Sequence, residues 1–198
     1  LDDIPGENFN VARIKRSLFR ESYLGLVYTG RSTDADSVYR DQDLLGIDLD
    51  LSTSRFKGDK NLDFQAFFVG HSSPKENPDA TVSDLSTRGI RLNYPNDLWQ
   101  AHVSYREFGQ EFDPAVGFNT RNGFKRVEPS VSYRPRPENW ELIRQMEFGI
   151  EFEYMTDLDN RLLKRETEFT LFELNFESAD ELSAKVVNLK EYLDKDFE

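Results

Sequence analysis

The chain contains no cysteine. A disulfide framework, a thiolate zinc site and a cysteine nucleophile are therefore excluded. Histidine is nearly as scarce, with His71 and His102 alone. No spacing in the sequence links either to a serine nucleophile or to a paired ligand set. Both read as solvated side chains, His71 at a strand end and His102 on a polar face. Basic residues are the minority, 25 against 37 acids, for a formal charge of −12. A nucleic-acid partner needs clustered Lys and Arg to meet phosphate. Here the bases are interspersed with acids, as in Lys125-Arg126 close to Glu128. Long apolar runs are missing too. No stretch approaches the roughly 18 residues of a membrane-spanning helix. Neither standard glycine-rich phosphate loop occurs.

What is present is alternation. In Leu45-Gly46-Ile47-Asp48-Leu49-Asp50-Leu51, the leucines and Ile47 fall on one side, with Asp48 and Asp50 on the other. Met146, Phe148, Ile150, Phe152 and Tyr154 share one face, against Glu147, Glu151 and Glu153. Ile90, Leu92 and Tyr94 alternate with Arg91 and Asn93. Trp99, Ala101, Val103 and Tyr105 alternate with Gln100, His102, Ser104 and Arg106, and Phe172, Leu174 and Phe176 with Glu173, Asn175 and Glu177. A period of two marks strands with one wet and one apolar face. The pattern predicts ten strands, at 9–15, 20–29, 44–56, 61–71, 87–94, 98–106, 125–134, 140–155, 162–177 and 181–189. The one helical rival is 179–195, where Ala179, Leu182, Val186 and Leu189 approximate helical spacing. A strand is preferred there.

The connections alternate as well. Short links fall at 16–19, 57–60, 95–97, 135–139 and 178–180, with turn residues such as Lys57-Gly58-Asp59 and Pro95-Asn96-Asp97. Longer polar links fall at 30–43, 72–86 and 107–124, and an intermediate one at 156–161. In an up-and-down meander every second link lies at the same end. One end is thus trimmed and the other elaborated, as in outer-membrane barrels. The expected fold class is all-β, an antiparallel up-and-down meander forming an arc of an outer-membrane-type β-barrel. Several strands reach the roughly 9–11 residues a tilted crossing needs. Tyr94, Trp99, Trp140 and Tyr154 near strand ends suit interfacial girdles. If the short links are periplasmic, both chain ends fall on the opposite side. Complete bacterial barrels keep both ends in the periplasm, so residues 1–198 are expected to form a single barrel region cut from a longer chain that starts before Leu1.

Alternation alone leaves the direction of the apolar face open. A soluble β-sandwich or barrel that binds carbohydrate would turn that face inward. Trp99 and Trp140 would then be candidates for stacking on sugar rings. A glycoside hydrolase is a third class. Asp48 with Asp50, and Glu151 with Glu153, stand about 6–7 Å apart along their strands, near the carboxyl separation of glycosidases. Alternation on an acidic strand face makes such pairs automatic, so no enzymatic reaction is assigned. Asp48, Asp50, Arg91, Glu151 and Glu153 are expected instead to form a polar lining that favours cations. Asp34, Asp36, Asp157, Asp159 and Asn160 offer loop oxygens, but not the EF-hand spacing, and read as Asx-rich loops. No cofactor or metal site is expected.

One segment goes beyond pattern. Glu111-Phe112-Asp113-Pro114-Ala115-Val116-Gly117-Phe118-Asn119-Thr120-Arg121, followed by Pro129, Tyr133 and Pro135, resembles a motif of the bacterial family DUF5916. Asn8 to Arg13, Ser22 to Arg31, Leu45 to Asp48 and Glu191 to Phe197 look like further strand ends of that family. The resemblance covers most of the chain, with Phe112 to Arg121 its most specific part. Asn119 departs from it, where an apolar residue is expected. The resemblance implies a C-terminal β-barrel region whose intact protein carries an N-terminal carbohydrate-binding module of family 9 type. No such module lies within these residues. The implied role is an outer-membrane pore or surface scaffold linked to glycan handling, with membrane lipid as partner and glycan as a further candidate.

Overall fold

The structure is a computed structural model that describes residues 6–33, 41–72, 79–114 and 116–192. Ten strands run in sequence order through one sheet, each hydrogen-bonded to its predecessor. They are β1 (Glu7–Leu18), β2 (Ser22–Thr33), β3 (Gln42–Phe56), β4 (Lys60–His71), β5 (Ser86–Pro95), β6 (Trp99–Phe108), β7 (Phe124–Tyr133), β8 (Ile143–Asp157), β9 (Leu162–Phe176) and β10 (Glu181–Glu191). The sheet is an antiparallel up-and-down meander that does not close into a barrel. No helix is present among the described residues, and 181–191 is a strand rather than the rival helix.

The boundaries shift where turn chemistry decides them. β2 begins at Ser22 because Phe19 takes a positive φ of 54° and ends β1 abruptly. β8 begins at Ile143, not 140. Trp140 N donates to Pro137 O, and Ile143 N to Trp140 O, so the Pro135–Pro137 link runs on through 142. The elaborated end has its own exception, since β8 and β9 are joined by residues 158–161 alone. There Asn160 takes a φ of 67°, and the Asp157 carboxylate accepts the Arg161 N–H at 2.8 Å. That carboxylate caps a tight turn.

The residues cluster into two compact units that cut across the strands. The first comprises Leu1–Leu51, Gln65–Ile90 and Arg106–Lys125; the second comprises Ser52–Phe64, Arg91–Tyr105 and Arg126–Glu198. In the first, the register sets Leu26 opposite Ile47 and Tyr28 opposite Leu45, while Gly25 faces Asp48 and Tyr23 faces Asp50. In the second, Ile150 meets Phe169, Glu151 meets Glu168 and Glu153 meets Glu166.

β9 carries a bulge. Glu147 pairs with Glu173, but Gly149 pairs with Thr170, and on the other side Ala184 pairs with Phe172 while Lys185 pairs with Thr170. Leu171 is thus the extra residue toward both neighbours. A bulge reverses the parity of everything beyond it. Phe169, at an odd position, therefore shares the apolar face with Leu174, at an even one, opposite Ile150 and Met146.

Little of this chain has a dry core. The buried apolar residues described are Leu44, Phe112, Phe124, Met155 and Leu163, and none is fully buried. The apolar strand faces are the open ones. Leu45 is 63% exposed, Ile47 45% and Ile150 37%. On the alternate positions Gln42 is 3% exposed, and Leu44 and Gly46 are buried beside it.

Candidate functional site: the polar face and its docked loop

The polar face is held by ion pairs, most of them between strands. In the first unit, Arg13 on β1 grips Asp48 on β3 through both terminal guanidinium nitrogens, at 2.6 and 2.9 Å. β2 lies between them, and Gly25 makes the crossing feasible. A Cβ there would stand 2.6 Å from Arg13 Nη2 and from Asp48 Oδ1. Asp50 accepts a hydrogen bond from Gln65 Nε2 at 3.0 Å. Lys15 Nζ sits 3.5 Å from the centre of the Tyr23 ring, a cation–π contact on the same face.

The second unit carries the denser charge. Glu153 and Glu166 stand directly opposite, a destabilising arrangement for like charges. Lys164 offsets it, reaching Glu166 at 2.6 Å and Glu153 at 3.2 Å. Lys185 on β10 bonds Glu168 at 2.8 Å. Arg126 pairs with Glu128, and Arg134 with Glu147. A hollow of about 240 Å³ opens among Glu128, Glu151, Glu153, Glu166, Glu168 and His102. A second of about 210 Å³ is lined by Arg91, Gln100, Ser132, Glu147 and Glu151 among others. Glu151 and Glu153 therefore share one hollow, and Glu151 and Arg91 share the other. Asp48 and Asp50 belong to the first unit and are engaged with Arg13 and Gln65.

Replacing Lys164 by Ala leaves facing carboxylates without their common cation. The pair is sheltered but not buried, so the expected cost is about 1–2 kcal/mol, between exposed and buried pairs. Urea titration should show this loss, and Glu166→Gln in the same chain should recover most of it.

Of the two histidines, His102 keeps its polar-face position, part-exposed, and His71 departs from its sequence reading. His102 Nδ1 lies 2.7 Å from Ser130 Oγ, a contact between β6 and β7. A hydrogen bond of this kind does not by itself make a nucleophile, which needs a third group to orient the ring and donors for an oxyanion. His71 is not solvated. It is 7% exposed and packs on Phe112, with ring centres 5.9 Å apart. Its Nε2 lies 2.9 Å from Glu111 O and 3.2 Å from Asp113 N.

Those contacts anchor the most buried cluster described. The β6–β7 loop folds back onto the sheet. Gln42 Nε2 donates to Asp113 O at 2.7 Å, and Asn122 Nδ2 to Phe112 O at 2.7 Å. Phe112 is 5% exposed, meets Phe108 edge-on at 6.0 Å, and Phe108 stacks on Phe124 at 4.8 Å. The loop lies on the polar face. Val69 Cγ2 would stand 3.0 Å from a Cβ on Gly46, so Val69 and His71 point to the side of Gly46, Leu44 and Gln42. The β4–β5 loop joins it: Glu111 N donates to Asp84 O, and Gly109 N to Ser86 O. No sequence pattern announced these contacts, because the partners lie far apart in the chain.

Asp84 closes the β4–β5 turn. The Thr81 hydroxyl and the Thr81 N–H both donate to its Oδ2, at 2.7 and 2.9 Å. These bonds hold the Asp84 carboxyl below the usual carboxylate range, the hydroxyl bond contributing most. A lowered folded pKa adds stability above the unfolded value of about 3.9, and that stability is lost as pH falls through the folded value. Carboxyl NMR titration should show a late-protonating Asp84. In Thr81→Val it should titrate nearer to an ordinary aspartate.

Asp157 is spent on its turn, and Asp34 and Asp36 lie outside the described residues. No group of three His, Asp or Glu side chains suited to a metal ion occurs among the described residues. Near the short links the second unit sets aromatics at strand ends: Trp99 against Tyr133 at 4.7 Å, and Phe56 against Tyr94 at 6.4 Å. Comparison with protein-family models, with curated proteins and with solved structures finds no match for this chain.

Proposed function

We propose that this chain is part of a bacterial outer-membrane β-barrel of the DUF5916 kind, serving as a pore or surface scaffold. The observation that supports this most is the sidedness of burial. Leu45, Ile47, Phe148, Ile150 and Phe169 are open to the surroundings, while Asp48, Glu153, Lys164 and Glu166 on the alternate positions are half-buried in ion pairs. A soluble sheet needs the reverse, because exposed apolar area is costly in water. Hydrocarbon as the surrounding medium removes that cost. The strand-end aromatics Phe56, Tyr94, Trp99 and Tyr133 fit a headgroup-level girdle. No described residue pairs with the outer edge of β1 or of β10. A membrane does not tolerate open edges, so further strands of a longer chain would complete the wall. The family resemblance around Phe112 to Arg121 adds the link to glycan handling. Asp48, Asp50, Arg91, Glu151 and Glu153 would face the watery interior.

The test is extraction and gel behaviour of the protein expressed with its native flanks. A barrel remains with the outer-membrane fraction, needs detergent, and migrates differently before and after boiling. A protein that is monodisperse without detergent and binds glycans through Trp99 or Trp140 would establish the soluble binding domain instead.

A further inference from the structure

We infer that the β6–β7 loop is a fixed constriction on the water-facing side of the wall, with His71 and Gln42 as the residues that position it. This rests on the barrel reading above and adds a segment that sets the width of the water-filled path. A surface loop at the rim of a barrel normally projects into solvent and carries its own polar residues outward. This one does the opposite. Gly109–Pro114 and Asn119–Gly123 turn back onto the polar face and are held there by side chains from two strands and from the loop itself. Gln42 on β3 donates to Asp113 O, and Asn122 to Phe112 O. His71 on β4 places Nε2 2.9 Å from Glu111 O and 3.2 Å from Asp113 N, so it donates to the first or accepts from the second according to its tautomer.

Three features make the placement a built one. Phe112 fills the gap between His71 and Phe108, so the loop has an apolar anchor beneath its polar ties. Gly109 passes against the backbone of Ser83 and Asp84 more closely than any side chain would allow. The buried polar residues Gln42 and His71 lie at the anchor, and each meets the loop backbone, Gln42 at Asp113 O and His71 at Glu111 O. Buried polar groups that are hydrogen-bonded specify one arrangement strongly. Phe118, in the same loop, is 88% exposed. Bulk carried on the water-facing side of a barrel wall narrows the aqueous path and sets what passes.

The experiment uses the full chain with its flanks, folded in detergent and placed in planar bilayers. Boiling-dependent gel migration reports whether the barrel has formed. In folded protein, His71→Ala with Gln42→Ala should raise single-channel conductance by about twofold or more, since the loop leaves the wall. His71→Gln keeps a donor and acceptor near the ring Nε2 position and should return conductance toward the parent. A second arm avoids disturbing the anchor. The chain has no cysteine, so Phe118→Cys can be labelled alone, and a bulky thiol reagent should lower conductance by a similar factor. Unchanged conductance in both arms, in protein that shows boiling-dependent migration, overturns the constriction and leaves the barrel standing. A folded parent that does not conduct supports the constriction if the double variant opens it, and contradicts the constriction if the double variant stays closed. Absence of both boiling-dependent migration and conductance overturns the barrel, and the constriction with it.

Discussion

Ile150→Arg should abolish most folding into lipid vesicles while barely affecting a soluble fold. Ile150 sits mid-strand on β8, opposite Phe169, on the exposed apolar face. In hydrocarbon, a cationic side chain near the bilayer midplane costs about 2–4 kcal/mol. On an ordinary wet surface the same change stays within about 0.5 kcal/mol. The two media thus predict outcomes that differ severalfold in energy from one substitution. Glu151→Arg, one residue along, is the internal control. It points to the charged side, near Glu168 and Glu166, where a cation joins an acidic neighbourhood. Reversible denaturant titration of the protein in vesicles should show a large loss for Ile150→Arg and a small change of either sign for Glu151→Arg. Equal small effects would place both faces in water.

Gly109→Ala carries the second large effect. Gly109 lies where β6 leaves the sheet, and the carbonyls of Ser83 and Asp84 occupy the space a methyl would need. The obstacle is backbone, which cannot swing aside like the end of a flexible side chain. The same residue donates its N–H to Ser86 O and accepts from Gly123 N, so moving it strains the base of the loop on both sides. Overpacking of this kind costs about 1–3 kcal/mol. The loss should be confined to the loop and its anchor. Hydrogen exchange at Glu111 and Phe112 should accelerate sharply, while amides of β8 and β9 keep their protection. A uniform change across the chain would argue against a separately docked loop. Gly25 makes a useful contrast. There a Cβ would meet only the tips of Arg13 and Asp48, which can yield.

The strand pattern was legible because its cause is local. Side chains alternate across a pleat, so the seven residues from Leu45 to Leu51 already separate Asp48 and Asp50 from Leu49 and Ile47. All ten strands and the antiparallel meander follow from such runs. The bulge at Leu171 was not legible. Phe169, Leu171 and Phe172 break the alternation in the sequence, but only the partners Gly149 and Lys185 show which residue is extra. The polar lining was half legible. Glu151, Glu153 and Arg91 could be placed on a polar face, whereas Lys164, the cation that offsets Glu153, comes from a neighbouring strand and depends on register. His71 was misread because a histidine at a strand end is ordinarily wet. Its burial comes from a loop forty residues away in the chain.

The proposed membrane placement requires the apolar face of the sheet to meet hydrocarbon. The direct measurement is a nitroxide scan along 146–154 of the protein folded in vesicles, reading accessibility to oxygen, which partitions into lipid, and to a water-soluble nickel chelate. The account predicts oxygen maxima at 146, 148, 150, 152 and 154, with nickel maxima at 147, 149, 151 and 153. The opposite phase, or nickel access at every position, would contradict it.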